Sequence, residues 1–335
     1  GIQVWRKGFG SYPEFSDGGG SVPTVPAAGV DPATVGWQLA AVLPAGASAL
    51  RDNPPVRDYW YYHVRVLDMC GNPAVSVTPA ASLDYLLADV VGGPGNLGDN
   101  LVDAADVAQL TAAYGRADGQ PGYANRLDVG PTANAGPFSL PMTDNVIDFE
   151  DLMIFSLSHG LNAGPGGGGS VPASPAPVAR NFLMLDVAPL PSIGQTFTVT
   201  IRMEGDGTVQ GLSIPLLWNN AAVQPVSVTP GALLAAQGGT AAVYMPQPGL
   251  VDAALLGLRQ RGLSGAGVLA VVTFEVVGAG QPGLSVGLVD GRSQANAPLG
   301  VSSGGISATP DLPVLVVATT LHQNVPNPFN PQTTK

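Results

Sequence analysis

Charge is what this chain has least of. Of its 335 residues only 11% are Asp, Glu, Lys or Arg, with 13 basic residues against 24 acidic. The formal charge of −11 makes nucleic acid and anionic membranes poor partners, and cations good ones. Cysteine is scarcer still. Cys70 stands alone, which excludes an intrachain disulfide, a paired-cysteine zinc site and a c-type haem attachment. His63, His159 and His322 are scattered, with no carboxylate or nucleophile at a telling spacing. No apolar run is long enough, or free enough of Gly and Pro, to span a bilayer, so no membrane span is expected. A leader is missing too. GIQVWRK (1–7) reads as a strand already under way, and a trimmed piece of a longer precursor is the expectation.

Glycine (45) and proline (32) are abundant, alongside 45% hydrophobic residues. Val-rich runs such as VLAVVTFEVV (268–277) turn that composition away from disorder and toward many short strands joined by turns. The expected class is mainly β: a multidomain β-sandwich or jelly-roll protein with one small α-helical module. Residues 1–83 carry strand signals at 2–8, 36–43 and 60–69, the last ending in a Gly-Asn turn at 71–72. Residues 84–161 hold the convincing helix signals, VAQLTAAYG after Asp106 and LMIFSLSHG after Asp151, each closed by a Gly suited to a C-cap. A Gly-then-Pro linker follows at 162–179. Residues 180–305 return to strands separated by Gly, Asn and Pro turns, as in an antiparallel sandwich or jelly roll. Residues 306–335 add a last apolar run, PVLVVATTL (313–321), and a Pro-rich tail.

One acidic pattern occurs twice: DNLVDAAD (99–106) and DNVIDFED (144–151). Each octet can be a helix N-cap, with Asp103 and Asp148 capping and Asp106 and Asp151 one turn on. Each also fits the second half of a calcium loop, because Ca²⁺ takes six to eight oxygens from loop positions one, three, five, seven, nine and twelve. With Asp106 at twelve, Asp103 is nine, the Leu101 carbonyl is seven and Asp99 is five. In the repeat Asp151, Asp148, Val146 and Asp144 take those places. Val102 and Ile147 fall where an aliphatic packs inward, and Asn100 and Asn145 where the loop needs a left-handed turn. Duplication and the two equal helices favour calcium, two ions in all.

These residues resemble the dockerin family, which pairs two such loop–helix segments. The resemblance implies Asp89 and Asp128 at position one, although longer Gly/Pro-rich insertions separate them from position five; Asn96 is a further candidate in the first insertion. It also implies that the residues before the last ligand, Ala104-Ala105 and Phe149-Glu150, face a protein partner. GQTFTVTI (194–201), GLSIPLLWN (211–219) and GAGVLAVVTFEV (265–276) resemble the cohesin family, partners of dockerins, against the plainer alternative of a bacterial immunoglobulin-like sandwich. VWRKGFGSYPEF and YYHVRVLDMCGN resemble the later strands of a fibronectin type III domain whose first two strands are absent, so something outside the chain, or another copy, is expected to complete that sheet. LHQNVPNPFNP (321–331) is similar to the opening of type IX secretion sorting domains, which implies export.

Catalytic signals fail on inspection. GAGQPG (278–283) contains Pro282 and leads into a strand, so it is a turn and not a phosphate loop. RGLSGAG (261–267) has Ala266 where a nucleophile elbow needs Gly. Trp60, Tyr61 and Tyr62 could stack on sugars but read better as half core, half surface. The expectation is a secreted, non-enzymatic, calcium-stabilised protein that associates with other modules or with copies of itself, by head-to-tail assembly. The alternatives are an accessory region of a larger secreted enzyme and a carbohydrate-binding module.

Overall fold

Alternation along the first strands sets up the amino-terminal sheet. In β1 (Ile2–Gly8) and β3 (Tyr59–Leu67) successive side chains point to opposite faces. Trp5, Tyr61, His63 and Arg65 lie on one face under Trp37, while Val4, Val64 and Val66 lie on the other. β2 (Gln38–Leu43), β4 (Pro73–Val75) and β5 (Ala80–Leu83) complete a five-stranded antiparallel sheet, ordered β2-β1-β3-β4 with β5 also on β3. Val64 and Val66 keep 37% and 50% of their surface exposed. The expected partial sandwich is therefore one sheet with an apolar face partly open; no second sheet covers it among the described residues. The computed structural model describes residues 1–10, 22–76, 78–93, 98–161, 181–257 and 261–308, with side chains to 304. Asn96, most of the strand expected after Gly8, the 162–179 linker, the 313–321 run and the sorting-type segment all lie outside the described residues.

The helical module consists of α1 (Ala104–Ala113) and α2 (Phe149–Ser158), ten residues each, as the paired signals require. Each is capped by a reciprocal Asp pair and followed by a Gly of positive φ, Gly115 and Gly160. The two halves grip each other with pseudo-twofold logic. Val102 of the first octet pairs through its backbone with Gly160 and Leu161 after α2, and Ile147 of the second pairs with Gly115 and Arg116 after α1. Both aliphatics are fully buried, as their loop position predicts. Among the described residues no helix is long and apolar enough to cross a membrane.

The carboxyl-terminal unit is a two-sheet sandwich. One sheet runs β16-β6-β7-β12-β9, where β6 is Phe182–Val187, β7 Thr196–Asp206, β9 Val223–Pro230, β12 Ser264–Val276 and β16 Ser302–Ala308. The other runs β10-β11-β8-β14-β15, where β8 is Val209–Leu217, β10 Thr240–Tyr244, β11 Leu250–Leu256, β14 Asp290–Ser293 and β15 Pro298–Leu299; β13 (Ser285–Val286) also pairs with β8. All pairings are antiparallel except β16 with β6. That single parallel edge departs from the expected all-antiparallel sandwich. A five-residue helix, α3 (Ala232–Ala236), is an element without a sequence signal of helical period.

β11 is buried on both faces, and this unites the molecule. Val251, Ala253 and Leu255 enter the sandwich core, whereas Ala254 and Leu256 join the core of the helical module together with Ala242. α2 packs against β11 and β8. Gly211 on β8 permits the approach: a Cβ there would sit 2.5 Å from Met153 Sδ. Phe9, Tyr59 and Leu83 of the amino-terminal sheet pack on the same core from another side.

Candidate functional site

The acidic loops are built from buried carboxylates that collect backbone amides. In the first, Asp89 Oδ1 accepts from the Asp99 amide and Oδ2 from the Asn100 amide, both at 2.8 Å. Asp106 Oδ1 accepts from Val90 and Val91, and Oδ2 from Asp103. In the second, Asp128 Oδ2 accepts from the Asn145 amide at 2.8 Å and from the Tyr123 hydroxyl at 2.7 Å. Asp151 Oδ1 accepts from Val129 and Gly130, and Oδ2 from Asp148. Asn100 and Asn145 take φ of 71° and 69°, the left-handed turn their position demands. Position one thus meets positions five and six in space, across insertions the sequence left ambiguous.

Position-nine acids act as N-caps. Asp103 accepts from the Ala105 amide and Asp148 from the Glu150 amide. Asp99 and Asp144 are exposed and each accepts the amide two residues on, that of Leu101 and of Val146. The capping geometry is complete in both copies. Among the described residues no three His, Cys, Asp or Glu side chains converge as a metal site.

Electrostatically the loops crowd buried acids together. Burial, and then the nearby Asp128 charge, hold the fully buried Asp151 well above the usual carboxylate range. Asp128 is pushed up to about 6, chiefly by burial, with Asp144 adding repulsion. Burial also raises Asp106 and Asp148. The loops differ in one respect. Asp89 is ion-paired with the Arg57 guanidinium, which also donates to the Asp89 carbonyl at 2.8 Å. Asp128 Oδ1 is buried without a well-aligned hydrogen-bond partner, although the Asp144 amide acts on the carboxylate and favours its ionised form. The acids of the second loop lie near one another but do not by themselves form a cation cage, since most of their oxygens are taken by backbone amides.

Partner-facing residues are placed differently from expectation. Ala104 and Ala105 are exposed at the start of α1. Phe149 is only 6% exposed, inside the core shared with the sandwich, and so is not a free interface anchor. Glu150 lies 3.8 Å from Arg292 of β14. The helical module therefore turns this side toward the sandwich of its own chain. Hydrogen bonds tie the two: Tyr114 Oη donates to Asp252 Oδ2 (2.8 Å), which also holds Ser213 Oγ on Oδ1 (2.6 Å), and Ser156 Oγ donates to the Leu255 carbonyl (2.6 Å). Thr111 and Tyr244 hydroxyls meet at 2.7 Å. Burial raises Asp252 to about 6. The signal for this contact was LVDAALL (250–256), an apolar run with one acid, in which the lone Asp252 marks a partner across the interface.

Aromatic stacking on sugars loses its platform. Trp60 and Tyr61 are both buried, on opposite faces of β3, and Tyr62 donates to Asp52 at 3.0 Å. The run is core on both sides rather than half surface, because the 47–54 segment and Trp37 cover the two faces there.

Residues 190–297 match the sequence model of the Cohesin domain family. Similar solved structures include a non-cellulosomal cohesin from the hyperthermophilic archaeon Archaeoglobus fulgidus, at 17% identity over 39% of this chain and 93% of that chain, TM-score 0.31. A type I cohesin–dockerin complex from Clostridium thermocellum aligns at 12% identity over 40% of this chain and 99% of that chain, TM-score 0.31. The sixth cohesin from scaffoldin B of Acetivibrio cellulolyticus, in complex with a dockerin, aligns at 13% identity over 38% and 96%, TM-score 0.30. No curated protein matches the chain.

Proposed function

We propose that this is a secreted, non-enzymatic protein whose work is protein–protein assembly, with copies of itself as partners. The observation that carries the reading is the cohesin match over residues 190–297, since cohesin domains are non-catalytic scaffolding modules. The helical pair serves as a brace on that domain, because its core is completed by residues of the sandwich, and calcium at its dockerin-like loops would tighten it. Export is supported by the sorting-type segment at 321–331.

With the helix face of the sandwich engaged within the chain, copies meet through other surfaces. The partly open face of the amino-terminal sheet and the edge strand β2 are suited to that, because a sheet edge offers unpaired backbone groups to a further strand. Sedimentation velocity on the full chain in calcium tests this. Association predicts a mass above the 33.8 kDa monomer that grows with protein concentration. A single monomeric species at every concentration contradicts it.

A further inference from the structure

The amino-terminal sheet leaves one edge unguarded. β2 ends the order β2-β1-β3-β4, and among the described residues no strand pairs with its outer side. Its sequence, QLAAVL, carries no charge and no proline. Leu39 and Val42 keep 46% and 65% of their surface exposed. Natural sheets protect such edges with Lys, Pro or shortness, because unpaired amides and carbonyls template a further strand. Two other edges of this chain follow that rule: β4 has three residues and begins with Pro73, and β9 carries Pro225 and Pro230. β2 has just a one-residue bulge against β1, opposite Val4 and Trp5.

The face beside this edge is also unfinished. Ile2, Val4 and Leu43 share the side of the sheet on which Val64 and Val66 stay partly exposed. With Leu50 they line a cavity of about 480 Å³. A strand added beside β2 places every second side chain on that face, next to Leu43. The chain itself contains a suitable segment. PVLVVATTL (313–321) has nine residues, as many as β3, with no charge and five β-branched side chains. Its proline stands first, where a strand tolerates one.

Reach bears on which copy supplies the segment. β16 ends at Ala308, so Pro313 lies within about 18 Å of that end. β16 belongs to the sandwich sheet remote from the helices, since α2 packs on β8 and β11 of the other sheet. The helices are thus two layers away, roughly 20 Å. The amino-terminal sheet meets their core through Tyr59 of β3, with β1 and then β2 beyond. That spacing favours the β2 of another copy over the chain's own.

We propose that residues 313–321 of one copy pair with the free edge of β2 in the next, a strand addition between unlike surfaces that builds a head-to-tail series. This rests on the self-association reading above and names the two surfaces that carry it.

Sedimentation velocity of full-length variants tests it. Val42→Lys puts a charge on the acceptor edge at an exposed position, and Leu39→Lys repeats that arm at a second one. Val316→Pro combined with Val317→Pro damages the run and leaves the edge intact; successive amides point to opposite sides, so one of the two faces the edge. Each variant alone is expected to lose the concentration-dependent rise in mass and stay at 33.8 kDa. An equimolar mixture of edge and run variants holds one sound run and one sound edge, so it gives a species of twice that mass and nothing larger. If either variant associates like the native chain, or the mixture stays monomeric, the inference is overturned while self-association through another surface stands. A native chain that is monomeric at every concentration overturns the self-association reading itself.

Discussion

His63 illustrates how a single residue answers to its surroundings. Its ring meets Trp37 edge-on at 4.5 Å and neither ring nitrogen has a hydrogen-bond partner. Burial, with Arg65 beside it, lowers its pKa from the ordinary 6.5 to about 4. A depressed folded-state value means the neutral ring is favoured on folding. The stability this contributes is present above pH 6.5 and is lost as pH falls toward 4, on the order of 3 kcal/mol. The raised carboxylates act with the opposite sign: Asp84, Asp128 and Asp252, near 6 when folded, favour acid over the same window. A global melt would blur the two. The His63→Phe variant separates them: the native chain's melting point relative to that of the variant is expected to fall from pH 6.5 to 4, and an unchanged difference would contradict it. Nothing in the sequence around His63 announced this, because the covering residue Trp37 is 26 positions away in another element.

At the scale of elements, helix length, capping and the inward aliphatics were legible because each follows from local spacing. Asp103 and Asp148 cap, Val102 and Ile147 are buried, and Asn100 and Asn145 turn left-handed, all from one eight-residue pattern. The orientation of α2 was not legible, since it depends on a glycine more than fifty residues downstream. Gly211 lets Met153 lie on β8, so Gly211→Val should push α2 off the sheet at a cost of about 1–3 kcal/mol. Tyr114→Phe removes one of the two donors to buried Asp252 and should cost about 1–3 kcal/mol by itself. Chemical denaturation of the full chain measures both. If both variants unfold at the same midpoint as the native chain, the helix–sheet contact contributes little to stability.

The whole molecule is organised around the helical module rather than around its larger sandwich. The module's core takes in Ala242, Ala254 and Leu256 from one neighbour and is packed by Phe9, Tyr59 and Leu83 from the other. The boundary at 161 marks a change of composition, yet apolar packing crosses it. Sequence reading separates modules well where linkers are Gly- and Pro-rich, but an interface formed by the outward face of a doubly buried strand leaves only a weak trace, here the lone Asp252 of β11. If a cation staples the module, it braces both neighbours at once. Hydrogen exchange of the full chain, with calcium and then with chelator, tests that most directly. The account predicts that chelation speeds exchange in 104–113 and 149–158 and also in the facing strand 250–256. Unchanged protection in all three segments would contradict it.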